Sequence, residues 1–225
     1  MAKNKIEIPS AETAGIQEIA VTNQIAGNGV AIHSQIAVGA SANMPMQMTA
    51  SSQTIKPDDL SSIKSATRTT GKAKAIDVAK FLVYLAACED EPDFLSHLRL
   101  QKLLYYVQGW SLAMRNKPMF VERIEAWAHG PVVKDVYAVL SACGRRPISI
   151  DDVGQPEGLT EDEMEFIQSV WTSYKQFSAS SLREMTHKDD PWLDARKGFG
   201  PTDRCENEIT QKALKDFFAK AIKKN

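Results

Sequence analysis

The sequence predicts a mainly α fold, a compact helical domain of about six helices with a small β element, preceded by an aromatic-free N-terminal extension. Two observations predict it. All the Phe, Tyr and Trp residues (8, 5 and 4) fall after residue 72. From residue 73 onward, apolar residues recur mostly at three- and four-residue intervals, the period of a helix with one buried face. Hydrophobic residues make up 43% of the chain and charged residues 24%. At 225 residues that is enough apolar material for a real core.

The extension, residues 1–72, lacks the large side chains needed to offset backbone entropy, so no independent core is expected there. Ile19, Val21, Ile25, Val30, Ile32, Ile36 and Val38 recur around an Ala-Gly-Asn-Gly turn, a pattern that fits short paired strands. Met44, Met46 and Met48 follow, with thioethers that adapt to irregular apolar surfaces. These ten residues are the candidates for contact with a partner protein. The polar stretch 50–72 reads as a linker. The division is therefore 1–72, extension and linker, and 73–225, helical domain.

In the domain, Ile76, Ala79, Leu82, Val83 and Ala86 mark one face of a first helix, stopped by the acidic and proline cluster at 89–92. The next helix, 98–114, carries Leu100, Leu103, Leu104, Val107 and Trp110 in a broad apolar stripe. Tyr105, Tyr106 and Trp110 could stack nucleic-acid bases, but their place in that stripe assigns them to the core. Residues 117–127 read as a short strand. Gly130-Pro131 is then expected to open a helix over 132–143, since proline suits a first helical position, with Gly144 ending it. Thr160 and Glu163 form a capping box for a helix over 161–176, and Ser181 with Glu184 a second box. Asp189-Asp190 reads as a helix cap before Pro191, with Trp192 plugging the domain against helix 98–114. The tail helix should turn Leu214, Phe217, Phe218 and Ile222 inward.

Several chemistries are excluded. His33, His97, His129 and His187 show no zinc-site spacing with each other, Cys or acids, so no metal or other cofactor is expected. There is no GxSxG elbow, P-loop or GxGxxG cradle, and Cys143 at a helix C-terminus has the wrong dipole for a nucleophile. A hydrolase built on the histidines is the weakest of the available readings. A net charge of −1 gives no field for nucleic acid or anionic membrane, and small basic clusters such as Arg145-Arg146 read as solvated faces. The longest apolar run, 81–88, is too short to span a bilayer. Three scattered cysteines without a CxxC pair fit reduced thiols, so a cytoplasmic location is expected.

Three stretches say more together. Leu-x-Leu-Gln101-Lys102-Leu103-Leu104-Tyr105-Tyr106-Val107-Gln108-Gly109-Trp110 is followed by Glu125-Ala126-Trp127-x-His129-Gly130-Pro131-Val132-Val133 with Tyr137, then by Thr186-His187 with Pro191-Trp192. In this order they resemble the Panacea domain family, which includes SocA-like and GepA-type phage-associated proteins. The resemblance covers about residues 74–222. It implies an antitoxin that neutralises a cognate toxin by direct protein–protein binding. It also implies toxins of unrelated kinds, among them translation inhibitors and alarmone-synthetase-like enzymes. The alternative it leaves open is an adaptor presenting a partner to a cytosolic protease. It carries over no catalytic residue, and the motif residues are expected to be structural or interfacial.

Overall fold

A computed structural model of the chain describes residues 73–89 and 95–223. The ten candidate partner-contacting residues, Ile19 to Met48, lie outside the described residues. The described part is mostly helical with one two-stranded antiparallel sheet. In order it contains α1 (Ala75–Ala87), α2 (His97–Arg115), β1 (Ile124–Trp127), β2 (Gly130–Val133) and α3 (Lys134–Val139). A 3-10 turn (Ser141–Cys143) and α4 (Ile150–Val153) follow. The remainder is α5 (Glu161–Tyr174), α6 (Ala179–Thr186), α7 (Asp190–Ala195) and α8 (Gln211–Lys223). The surplus over six helices comes from short pieces such as the four-residue α4.

The axis of the domain is α2. Ser96 caps it by accepting from the Arg99 amide, and Asn116 ends it in the left-handed region (φ 55°). Every residue from Arg99 to Leu112 is buried, because α1, α5, α6, α8 and β2 all pack on this one helix. Its aromatic residues are core, as their place in the apolar stripe predicts. Tyr106 stacks on Tyr174 at 4.1 Å, and Phe218 of α8 meets Tyr105, Tyr106 and Trp110 edge-on. The polar atoms of these rings are partly provided for inside the core: Trp110 Nε1 donates to Tyr174 Oη at 2.9 Å, and Tyr105 Oη to Asp189 at 3.1 Å.

Four local expectations are corrected. Gly130–Val133 is a strand rather than the opening of a helix, and the following helix begins only at Lys134. Proline is compatible with both fates, and its position on the outer edge of the sheet decides between them. The cap of α6 is Ser178, whose hydroxyl accepts from the Ser181 amide at 3.1 Å, so Ser181 lies inside the helix. On α8, Ala221 rather than Ile222 completes the inward face with Leu214 and Phe218, while Phe217 is half-buried and Ile222 is 45% exposed. Trp192 is buried, but its indole is tied to the end of β1. The Thr160–Glu163 capping box is present.

Gly109 sets the distance between α2 and α8. A Cβ there would lie 2.2 Å from a ring carbon of Phe218, a contact no side chain can tolerate. Gly109→Ala should therefore destabilise the protein by about 1–3 kcal/mol through overpacking. Phe218→Leu in the same chain should recover part of that loss, so a double-mutant cycle in urea is expected to show strong non-additivity. Simple addition of the two effects would contradict this account of the α2–α8 contact.

Candidate functional site: the clamped hairpin

The region that gathers the motif residues is the β1–β2 hairpin with the faces of α2, α6 and α7 beneath it. Its register pairs Glu125 with Val132 and Trp127 with Gly130. Backbone groups at 124, 126, 131 and 133 then point away from the pairing. A two-stranded sheet normally leaves two such edges open, and buried unpaired backbone groups are costly. Here both edges are closed by different means.

On the β2 side, the closure comes from two side chains of α2. Gln101 Oε1 accepts the Val133 amide at 2.7 Å, and Lys102 Nζ donates to the Pro131 carbonyl at 2.9 Å. Pro131 has no N–H to satisfy, which is why it can occupy this edge. On the β1 side, the stretch 207–209 lies antiparallel. The Ala126 amide donates to the Asn207 carbonyl at 2.9 Å, and the Ile209 amide to the Ile124 carbonyl at 2.8 Å. Arg196, itself buried, adds a guanidinium bond to the Ala126 carbonyl at 2.9 Å and holds the carbonyls of Gly200 and Asp203.

The loop before the hairpin is secured in the same way. Gln108 accepts the amides of Met119 and Phe120 and donates to the Phe120 carbonyl, and Ser111 donates to the Lys117 carbonyl. Gln101, Gln108 and Ser111 recur at seven- and three-residue steps, so they share a face of α2. That face takes the place of a neighbouring strand. The turn closing the hairpin requires Gly130. Its φ is +98°, and a Cβ would lie 2.8 Å from Lys102 Nζ and 3.0 Å from Thr186 Oγ1.

The remaining motif residues surround this clamp. Leu103, Leu104, Tyr105 and Trp110 are buried core, and Val132 is buried in the sheet. Thr186 is buried and donates its hydroxyl to the Arg183 carbonyl. Trp192 Nε1 donates to the Trp127 carbonyl at 3.0 Å, which locks α7 to the end of β1. His187 stacks on Trp192 with ring centres 4.1 Å apart. Pro191 is buried in the first turn of α7. Trp127 is half-buried, with Nε1 donating to Glu125, and meets the exposed Tyr137 edge-on. His129 is exposed at the hairpin tip.

Asp189 occupies the N-cap position of α7, as its place before Asp190-Pro191 predicts, but its side chain has a different role. Its carboxylate does not cap α7. It is fully buried, accepts from Tyr105, and leaves its other oxygen unpartnered. Burial pushes its carboxyl up to about 7, against the lowering effect of the Tyr105 bond. Lys102, also fully buried, is pulled down to about 7 by burial and then by the charge of Arg183. Burial likewise pulls His187 down to about 4, helped by the charges of Arg183, Lys102, Arg196 and His129. Ser111, Arg196 and Asn207 were missed, and Gln108 stood in the first motif without a role of its own. The one available signal was the repeat of polar residues along a single face of an otherwise apolar helix.

This arrangement orders backbone: Gln101, Lys102, Gln108 and Arg196 all direct their hydrogen bonds to backbone groups. Among the described residues, no group of three or more His, Cys, Asp and Glu is arranged to hold a metal ion, and no helix is long and apolar enough to cross a membrane. Residues 100–193 match the family described as Antitoxin SocA-like, Panacea domain. A curated relative, the Antitoxin SocA of Caulobacter vibrioides (strain NA1000 / CB15N), is 34% identical over 154 residues. That alignment covers 63% of this chain and 80% of the relative. No solved structure matches the chain. The matched region contains Gln101, Lys102, Gln108, the hairpin and Asp189, while Arg196 and the 207–209 stretch lie beyond it.

The two buried charges give stability a defined pH dependence. Asp189 has a folded pKa above its unfolded one, so its contribution is complete below about 4 and is lost as pH rises through about 7. Lys102 has a depressed pKa, so its contribution is complete above about 10.5 and is lost as pH falls through about 7. Urea unfolding across pH should show Asp189→Asn flattening the decline between pH 4 and 7. Lys102→Met should flatten the rise between pH 7 and 10.5. Unchanged slopes in both variants would show that neither group titrates with folding.

Proposed function

The chain belongs to the SocA-like Panacea-domain antitoxin family, and we propose that it neutralises a cognate toxin protein by direct binding. The observation that carries this is the 34% identity to an antitoxin across 80% of that relative. The geometry supports a binding rather than a catalytic role. Gln101, Lys102, Gly130, Pro131 and Trp192 are all directed inward, and their polar atoms serve to hold the hairpin. A scaffold of this kind leaves partner specificity to exposed surfaces and appended segments.

The appended segment here is the extension. Ile19, Val21, Ile25, Val30, Ile32, Ile36 and Val38 supply alternating apolar residues, and Met44, Met46 and Met48 an adaptable surface. In this proposal they add strands to the toxin's sheet edge or lie in a groove on it. Both outer edges of the described sheet are occupied, which supports a strand acceptor on the toxin rather than on this domain. The adaptor role differs in outcome: it requires toxin to be lost to proteolysis rather than held in a stable complex.

The test is co-expression with the product of the adjacent gene, followed by co-purification and a growth assay. A fragment beginning at Lys72 should keep its thermal transition and lose most neutralisation. Residues 16–40 should become protected from hydrogen exchange only in the complex, since ordering a segment on a partner is the free-energy change being measured. A fragment that neutralises as well as the full chain would assign recognition to the helical domain alone.

A further inference from the structure

We infer that the hairpin tip and the adjoining end of α6 form a contact surface that accepts a carboxylate side chain of a protein partner, with Trp127 and Tyr137 as its apolar flank. This rests on the proposed function in taking that partner to be the toxin. It adds to the extension a second contact on the domain itself.

The basis is a set of polar side chains without hydrogen-bond partners. His129 is exposed at the tip, and Arg183 is half-buried on α6 one turn before His187. Among the described residues, neither the Arg183 guanidinium nor the His129 ring has a hydrogen bond or ion pair, and His187 Nε2 is buried without a partner. Beneath them Lys102 Nζ lies under Gly130, with one of its three N–H bonds used on Pro131. The hairpin tip and the end of α6 adjoin, because Gly130 lies against Lys102 and Thr186, and His187 stacks on Trp192, which bonds to the Trp127 carbonyl.

Two buried carboxylates, one in the hairpin and one between α6 and α7, bond to other groups, Asp189 through one oxygen only. Asp189 accepts from Tyr105, and Glu125 accepts from Trp127 and lies within 3.9 Å of Lys134. The negative end of the α6 dipole favours a cation in its last turn, which accounts for Arg183 as a feature of the isolated fold. It does not account for His129, which belongs to the hairpin, or for the unbonded His187 Nε2. Lys102 and His187 Nε2 are buried beneath this surface, so the groups open to a partner are the Arg183 guanidinium and the His129 ring, and a carboxylate supplies the acceptor that both lack.

The flank is apolar and partly open. Tyr137 is 41% exposed, with its ring 5.0 Å from Trp127 and 5.4 Å from His97. Trp127 is held in place through its bond to Glu125. Trp, Tyr and Arg are the residue types that dominate binding energy at protein interfaces, and the hairpin end, α3 and α6 supply Trp127, Tyr137 and Arg183. The matching partner element is an Asp or Glu beside an apolar side chain.

The probe is the growth-inhibiting product of the adjacent gene, bound to the full-length chain. Arg183→Glu and Tyr137→Ala should each weaken binding by about tenfold or more, with thermal transitions near that of the native chain. Lys220→Glu on α8 should leave affinity unchanged. Raising salt should weaken the native complex more steeply than the Arg183→Glu complex. Arg183→Gln, which introduces no repulsive charge, should give a smaller loss in the same direction and serves the test if the Glu variant does not fold. Native affinity and salt dependence in the Arg183 variants would overturn this surface while leaving the antitoxin reading intact. Failure of the native chain to form any complex would overturn both.

Discussion

The closure of the β2 edge by Gln101 and Lys102 is the constraint on which the rest of the domain depends. A four-residue hairpin arm cannot be stable alone, and its buried outer groups need partners. Supplying them from a helix fixes the angle and depth at which the hairpin meets α2. Gly130 must then lack a side chain, because Lys102 and Thr186 occupy that space. Pro131 is accepted because it presents only a carbonyl to the lysine. Trp192 in turn can bond to the Trp127 carbonyl only because the hairpin end is held at that position. The residues of the three sequence stretches are thus linked through one set of backbone partners.

Burying Lys102 for this purpose has an electrostatic consequence. Desolvation disfavours its charged form, and Asp189, buried on the other side of Tyr105, is disfavoured in the opposite sense. Both groups are therefore poised near pH 7. Perturbed values of this kind often mark active sites, but structural networks produce them too, and here the hydrogen bonds lead to backbone and tyrosine rather than to a cleft.

The helices were legible because periodic apolar burial is a local signal. Leu100, Leu103, Leu104 and Val107 are all core, and the Thr160–Glu163 box begins α5 as its residue pattern requires. The strand at 130–133 was not legible. Proline at 131 fits the first turn of a helix as well as a sheet edge, and the choice is made by Lys102, twenty-nine residues earlier. Asp189 stands at the cap position that its place before Asp-Pro predicts, but its carboxylate turns to Tyr105, a partner eighty-four residues away that no local pattern announces. Clustering at the site was visible only as co-occurring motifs, since the charges around His187 come from α2, the hairpin, α6 and the residue after α7. The inward motif residues hold the scaffold, whereas His129 and Tyr137 are exposed and Arg183 is half-buried, which is why the proposed partner surface is drawn from them.

Native-state hydrogen exchange at the Val133 amide tests the central claim most directly. If Gln101 takes the place of a neighbouring strand, that amide should exchange as slowly as those of α2 in the native chain, and Gln101→Leu should release it while leaving the Ala126 and Ile209 amides protected. Rapid exchange at Val133 in the native chain, or unaltered protection in the Gln101 variant, would contradict the claim that α2 closes the sheet.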